Sequence, residues 1–291
     1  MSAKNVAAVV VWFNPCMESA INAIRSYEKQ VDKVYVVDNS DNSLIDRHKN
    51  SINEFENIEY HPLGANLGIA KALNVGFQKA ISEGYPYVIT LDQDSSASSD
   101  MVSKLVSAAT ELNRDRTEYG IIAAQPDTPS RAERKKDGFT EMESVIASGN
   151  LVVADAFREV GGFKEELFID YVDCWFSLDM RKHGYKIVQV NDAKLLHHLG
   201  SIVERSLFGI KMYPTNHSPI RSYYIARNRL YTKKEFGRFF PKYFRHEKLN
   251  YLKFIIKIVL FERNKVAKIK RMMRGASDYR KGIMGGFREK R

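Results

Sequence analysis

Two cysteines, Cys16 and Cys174, are all that the 291-residue chain contains, too few and too far apart for a disulfide framework or a thiolate metal site. Their scarcity fits a reducing compartment, with both thiols expected to be ordinary buried side chains. Long hydrophobic runs are missing too. No stretch reaches the roughly 18 uninterrupted apolar residues of a spanning helix, and the nearest approach, Tyr251–Phe261, is broken by Lys253 and Lys257. The first apolar run passes straight into Asn14-Pro15, which argues against a cleaved signal peptide. Nor does a glycine-rich loop follow that run. Asn14-Pro15-Cys16 stands in its place, which disfavours a dinucleotide oxidoreductase and a sugar-nucleotide-forming nucleotidyltransferase. No internal repeat is present.

What is there is enough to fold. With 44% hydrophobic and 11% aromatic residues the chain can bury a substantial core. The net charge of +10 is unevenly distributed: residues 221–291 hold 22 Lys and Arg against 5 Asp and Glu, and the first 220 residues hold 23 against 30. The basic character belongs to the C-terminal part.

Short β-branched runs alternate with stretches of helical period, the pattern of an α/β domain with a mixed, mainly parallel sheet flanked by helices. "NVAAVVVWF" is continuously apolar, as a strand buried on both faces should be. A helix is predicted over Met17–Gln30, then a strand ending on Asp38, a short strand near Ile58, and a Gly/Asn loop leading into a helix that puts Ile69, Leu73, Phe77, Ala80 and Ile81 on one face. "YVITLD" is the next strand, followed by a helix to about Leu112, a strand at "YGIIAAQ", and a hairpin or loop over Asp127–Ser144. "VIASGNLVVAD" returns to strand, "FIDYVDCWFSLDMRKHGY" reads as a helical segment, and "KIVQV" leads to the pair His197-His198. The alternation stops near Ser201. This divides the chain into residues 1–200 and a helical, basic region, 201–291.

Two carboxylates, Asp92 and Asp94, close the strand "YVITLD", and charges at the mouth of an apolar strand need compensation. A divalent cation would supply it. Asp92-Gln93-Asp94 alone is a weak signal, but in open α/β sheets ligands bind beyond the carboxyl ends of strands, where Asp38 and Asp92 both fall. Mg²⁺ prefers carboxylate and phosphate oxygens, and Mn²⁺ also accepts an imidazole, for which His197 is a candidate. A surface or capping role suits His197 equally well on local sequence. Asp170 and Asp173, three apart in an expected helix, would face one cleft, unless they are simply acids favoured at a helix start.

The pieces "VVVWFNP", "VVDNSDN", "LGANLGIAKALNVG", "ITLDQDS", "ASGNLV", "FIDYVDCWF" and "LLHHLG" follow one another in an order that resembles the family-two inverting glycosyltransferases of the GT-A (Rossmann-like) fold. The likeness is to the bacterial rhamnosyltransferase branch in particular, and "HSPIRSYYIARN" extends it. The resemblance implies a nucleotide-sugar donor held by Asn14, Asp38, Asn66, Gly68, Lys71, Asp92 and Gln93, with Asp38 on the base or ribose. It implies Mg²⁺ or Mn²⁺ at Asp94 and His197, bridging the donor diphosphate. Ser148, Gly149, Asn150, Asp170 and Trp175 would meet the acceptor. Asp173 would be the base, because its register before an aromatic residue matches the family, although the family's adjacent acidic pair is here split into Asp170 and Asp173. The implied reaction moves L-rhamnose from dTDP-L-rhamnose to a lipid-linked saccharide. A UDP-linked hexose or galactofuranose donor is the alternative, and a non-catalytic membrane adaptor the rival from another class.

The basic region carries a predicted apolar face of Leu252, Ile255, Ile256, Val259 and Leu260 with lysines elsewhere, suited to an anionic membrane surface or to packing on the catalytic domain. Arg221, Tyr224 and Arg227 are candidates for the pyrophosphate of a lipid-linked acceptor. Nucleic acid is disfavoured, since no nucleic-acid module accompanies the charge. These expectations describe a cytoplasmic enzyme, peripheral on the inner membrane face, with a homodimer among the arrangements left open.

Overall fold

A computed structural model describes residues 5–116, 118–127, 137–197, 205–207, 210–212 and 216–289. They fall into two compact units. One runs to Phe168 and resumes at Val172, and the other combines Ile169–Tyr171 with the described residues from 205 onward.

The first unit is built on one mixed sheet. β1 (Val6–Trp12) is an inner strand, buried at every position except Val11, as its unbroken apolar sequence demands. β2 (Lys33–Asp38) and β4 (Tyr87–Asp92) flank β1 in parallel, and β3 (Ile58–Pro62) lies parallel outside β2. Beyond β4 the direction alternates. β8 (Asn150–Val153) runs antiparallel to β4 and to β6 (Tyr119–Pro126), β6 runs parallel to β9 (Lys186–His197), and β9 pairs antiparallel with β5 (Ser95–Ala97) and β7 (Phe139–Glu141). The helices are α1 (Met17–Tyr27), α2 (Ile45–Asn50), α3 (Ile69–Ser82), α4 (Met101–Leu112), α5 (Ala154–Val160) and α6 (Val172–Lys182).

Packing explains how α3 and α6 are held. Gly76 of α3 lies so close to the sheet that a Cβ there would collide with Val9 and come within 3.2 Å of Val37. On the same side Phe77 stacks on Phe157 at 4.3 Å between centroids and Phe163 packs on Phe176 at 4.2 Å, so one aromatic cluster joins α3, α5 and α6. Four features were not anticipated: α2, β5, α5, and a hairpin of β10 (Arg205–Leu207) with β11 (Ile210–Met212) in the second unit. Part of the segment expected as hairpin or loop is β7; residues 128–136 and His198 lie outside the described residues.

The second unit consists mainly of α7 (Pro219–Phe236), α8 (Pro241–Phe261) and α9 (Lys265–Arg280). Ser218 caps α7 by accepting the N–H of Arg221, with Pro219 at the first helical position. Ala226, Ile258 and Met272 share a buried cluster, with Tyr251, Phe254, Ile255 and Ile269 packed against it. The single apolar face expected on α8 is therefore split: Ile255 turns inward, while Leu252, Val259 and Leu260 stay exposed. Among the described residues no helix is long and apolar enough to cross a membrane.

Gly76→Val is expected to force α3 off the sheet and cost about 1–3 kcal/mol or more. A urea unfolding midpoint unchanged from that of the parent chain would contradict this packing.

Candidate active site

Strand register assembles the site. Trp12 is opposite Asp38 and Val11 opposite Asp92, so the carboxyl ends of β1, β2 and β4 form one rim, at the crevice where the strand order reverses. Thr90 opposite Asn150 brings the start of β8 to the same place, and Ser95 opposite His197 brings the end of β9 there.

Asp38 lies beneath that rim, 1% exposed. Burial alone would raise its pKa, but hydrogen bonds from Tyr60, Ser40 and His48 outweigh burial and hold the carboxyl below its usual value. Oδ1 accepts the Ser40 N–H at 2.9 Å; Oδ2 accepts the Tyr60 hydroxyl at 2.6 Å and lies 2.5 Å from His48 Nδ1. Burial, with the bond to Asp38, pushes the Tyr60 hydroxyl up. The Trp12 ring packs edge-on against His48 and Tyr60. Asp38 was expected to touch a nucleotide; the structure turns both of its oxygens to internal partners, and its visible action is on the loops above it.

Those loops are linked by side chains. Ser40 Oγ accepts the N–H of Asn14, which has φ 45°. Asn39 accepts the Leu67 N–H at 2.7 Å and donates to Asn66 Oδ1, which also accepts the Gly68 N–H. Gly68 has φ 91°, and a Cβ there would sit 2.7 Å from the carbonyl oxygen of Phe168, the same oxygen that accepts the Ile69 N–H. Glycine is required there by conformation and by close approach. Lys71 makes a half-exposed ion pair with Glu165 at 3.2 Å, a weak restraint that leaves it movable. His48, Tyr60, Asn39 and Ser40 were absent from the expected site. Asn39 and Ser40 follow Asp38 in a recognised motif, whereas nothing in the sequence around His48 marks it.

Around the acidic pair, the Asp92 N–H donates to Ser148 Oγ at 3.0 Å, and Gln93 Oε1 accepts the Phe13 N–H at 2.8 Å, so Gln93 ties β4 to the end of β1. Asp94 lines a cleft of about 300 Å³ with Cys16, Glu18, Ser19, Asn22 and Ser96. Cys16 is exposed and Cys174 half-buried, so neither is the fully buried thiol expected. Among the described residues no three His, Cys, Asp or Glu side chains gather as a metal cage. An ion that completes its shell with donor phosphates and water needs only one or two protein carboxylates. Asp94, with residue 197 set opposite its neighbour Ser95, fits such a site.

Asp173 is in the first turn of α6, where the helix dipole favours a carboxylate, and its Oδ1 accepts the Cys174 N–H. Asp170 does not share a helical face with it. Phe168, Asp170 and Tyr171 all have positive φ, at 68°, 61° and 67°, so the helix begins only after them and the i, i+3 relation fails. Such conformations persist where their surroundings over-determine them. Within the second unit Asp170 accepts Arg221 Nε at 3.2 Å and is ion-paired to the same guanidinium, Asn228 donates to the carbonyls of Ile169 and Asp170, and Tyr171 donates to Glu247.

Several expected ligand contacts are instead core contacts. Arg227 is fully buried, its guanidinium donating to Asn228 and the Gly285 carbonyl and lying over the rings of Tyr223 and Tyr224; it does not present charge to a phosphate. The Tyr224 hydroxyl is taken by the Phe287 N–H. Trp175 is buried on α6, beneath Lys164, rather than displayed for an acceptor. Ser148 and Asn150 are buried and bonded to main chain, and Gly149, at φ 79°, packs against Leu195, so these three shape the strand end from within.

The profile of Glycosyl transferase family 2 matches residues 9–169. The dTDP-rhamnosyl transferase RfbF of Shigella flexneri is 31% identical over 238 residues, covering 77% of this chain and 78% of that protein. Among solved structures, GalNAc-T7 with UDP, GalNAc and Mn²⁺ superposes with a TM-score of 0.57 at 15% identity over 78% of this chain, which spans 47% of that chain, about half its length. The mannosyltransferase PcManGT of Pyrobaculum calidifontis, with GDP-Man and Mn²⁺, gives 0.56 at 16% identity, covering 80% of this chain and 65% of that one. These likenesses show a GT-A-like fold.

The depressed Asp38 carboxyl has a consequence for stability. A lowered folded pKa gives a contribution fully present above the unfolded value of 3.8 and lost as pH falls through the folded value. Asp38→Asn should therefore flatten the loss of stability below about pH 4, read as urea midpoints against pH. An acid limb as steep as that of the parent would refute this role.

Proposed function

The chain belongs to glycosyl transferase family 2, and we propose that this glycosyltransferase is metal-dependent and inverting, moving L-rhamnose from dTDP-L-rhamnose to a lipid-linked saccharide for a cell-surface polysaccharide. The observation that carries the reading is the convergence of Asp92, Asp94, the Asn66–Gly68 loop and the first turn of α3 around the carboxyl ends of β1, β2 and β4. The choice of donor rests on the 31% identity to a protein named for dTDP-rhamnosyl transfer.

In this reading Asn14, Asn66, Gly68 and Lys71 meet the donor, with Asp38 and Gln93 holding their loops from below. Asp92 takes the ribose side, and Asp94 and His197 hold Mg²⁺ or Mn²⁺. When bound, the cation neutralises charge on the departing diphosphate. Asp173 accepts the proton of the acceptor hydroxyl as that oxygen attacks the anomeric carbon from the side opposite the leaving diphosphate, and one such displacement inverts the centre. Asp170 and Arg221, in the second unit, are assigned to the acceptor, with Arg221 directed at its phosphate. Apart from Asp170, residues 1–200 then serve donor and chemistry, and 201–291 serve acceptor and the cytoplasmic membrane face.

Asp173→Asn should lower transfer from dTDP-L-rhamnose by about 10²–10⁴-fold, the range of general-base catalysis, while dTDP binding by calorimetry with Mg²⁺ or Mn²⁺ stays as in the parent. Unchanged transfer would remove Asp173 from the mechanism. Faster turnover of a UDP-linked hexose or galactofuranose than of dTDP-L-rhamnose would overturn the donor.

A further inference from the structure

α8 is apolar on two opposite sides. Its inward side, with Phe244, Tyr251, Phe254, Ile255 and Ile258, packs within the helical unit. A helix apolar all round is ordinarily enclosed, yet the other side of α8 is open: Leu249, Leu252, Val259 and Leu260 are 55%, 54%, 49% and 46% exposed. Lys242, Arg245, Leu249, Leu252, Ile256 and Val259 recur at spacings of three and four, so they follow one stripe along the helix, basic in its first turns and apolar in its last. Lys248 and Lys253 are exposed beside it.

Charge identifies what covers this stripe. The one acid of α8, Glu247, is 10% exposed and paired with Arg229. Glu262 and Asp278 are likewise buried in ion pairs, with Lys268 and Arg274. Three of the five acids after residue 220 are thereby withdrawn from the surface, leaving an outward face of α8 that carries cations and no carboxylate. A second copy docked on the same face, in either helix direction, would bury those cations with no anion opposite, at a high desolvation cost. An anionic bilayer offers both complements, phosphate headgroups for the basic turns and acyl chains for the apolar ones.

We propose that the Lys242-to-Leu260 stripe of α8 is the membrane-docking surface of this protein, lying in the plane of an anionic bilayer. The proposal deepens the reading of the C-terminal region as the membrane side of the enzyme and rests on it, but not on the donor or the base.

The test uses the full chain and vesicles of phosphatidylcholine, with or without about one third phosphatidylglycerol. The parent protein is expected to float with the anionic vesicles and not with the neutral ones. Leu252→Glu with Val259→Glu, and separately Lys242→Gln with Arg245→Gln and Lys248→Gln, should each lower partitioning at least about tenfold, as expected from lost apolar area and from lost basic residues near a charged surface. dTDP binding and turnover of a soluble acceptor should match the parent in both variants, which separates failure of docking from failure of the transferase reading. Circular dichroism checks the fold, and if the glutamate variant is unfolded the glutamine variant decides. Flotation of the variants equal to that of the parent would overturn the proposal. So would equal partitioning of the parent onto neutral vesicles, or a dimer in sedimentation that either variant dissolves.

Discussion

One buried carboxylate sets the conditions for the rest of the rim at the strand ends. Asp38 ends β2 with almost no solvent contact, and a charge there is stable only because a tyrosine hydroxyl, an imidazole and a main-chain N–H converge on it. Each of those donors belongs to a different segment. Satisfying the charge therefore fixes the turn after β2, the short helix α2 and the strand β3 together, and through Ser40 and Asn39 it also fixes the chain after β1 and the loop before α3. The rim is a set of polar loops whose positions follow from an electrostatic requirement one layer below.

Much of this architecture is legible in the residues, for reasons that also mark where legibility ends. β1, β2 and β4 are largely apolar runs, two of them closing on an aspartate, and burial on both faces leaves few other ways to arrange them. Their companion α3 has a clear helical period and a glycine at each end. α2 has neither signal: six residues, mostly polar, are helical because His48 is drawn to Asp38, a tertiary cause with no local trace. Asp170 fails differently. Helical spacing presumes helical dihedrals, and three left-handed residues in a row of four cannot be read from a sequence that has no glycine there. Arg227 shows a third limit, since a guanidinium looks the same in sequence whether it meets phosphate or, as here, two tyrosine rings and a carbonyl within a helical core.

The two units handle charge in different ways. In the first, Asp38 and Asp92 end the two strands that flank β1, Asp38 satisfied by protein donors from below. In the second, Glu247, Glu262 and Asp278 are turned inward against Arg229, Lys268 and Arg274, which leaves the surface mostly to the bases. The +10 of the whole chain is thus the sum of an acidic first unit and a helical unit with few outward-facing acids.

The pairing of β1 with β4, of β4 with β8, and of β5 with β9 has a consequence for biosynthesis. Strand β1 leaves the ribosome ahead of β4, its neighbour on one side, which comes some eighty residues later; the serine that holds Asp92 is residue 148, and the partner of Ser95 is residue 197. Such distant pairings close slowly and only after their loops are made. A nascent polypeptide stalled before β9 would present an unfinished sheet with open edges, a natural client for chaperones.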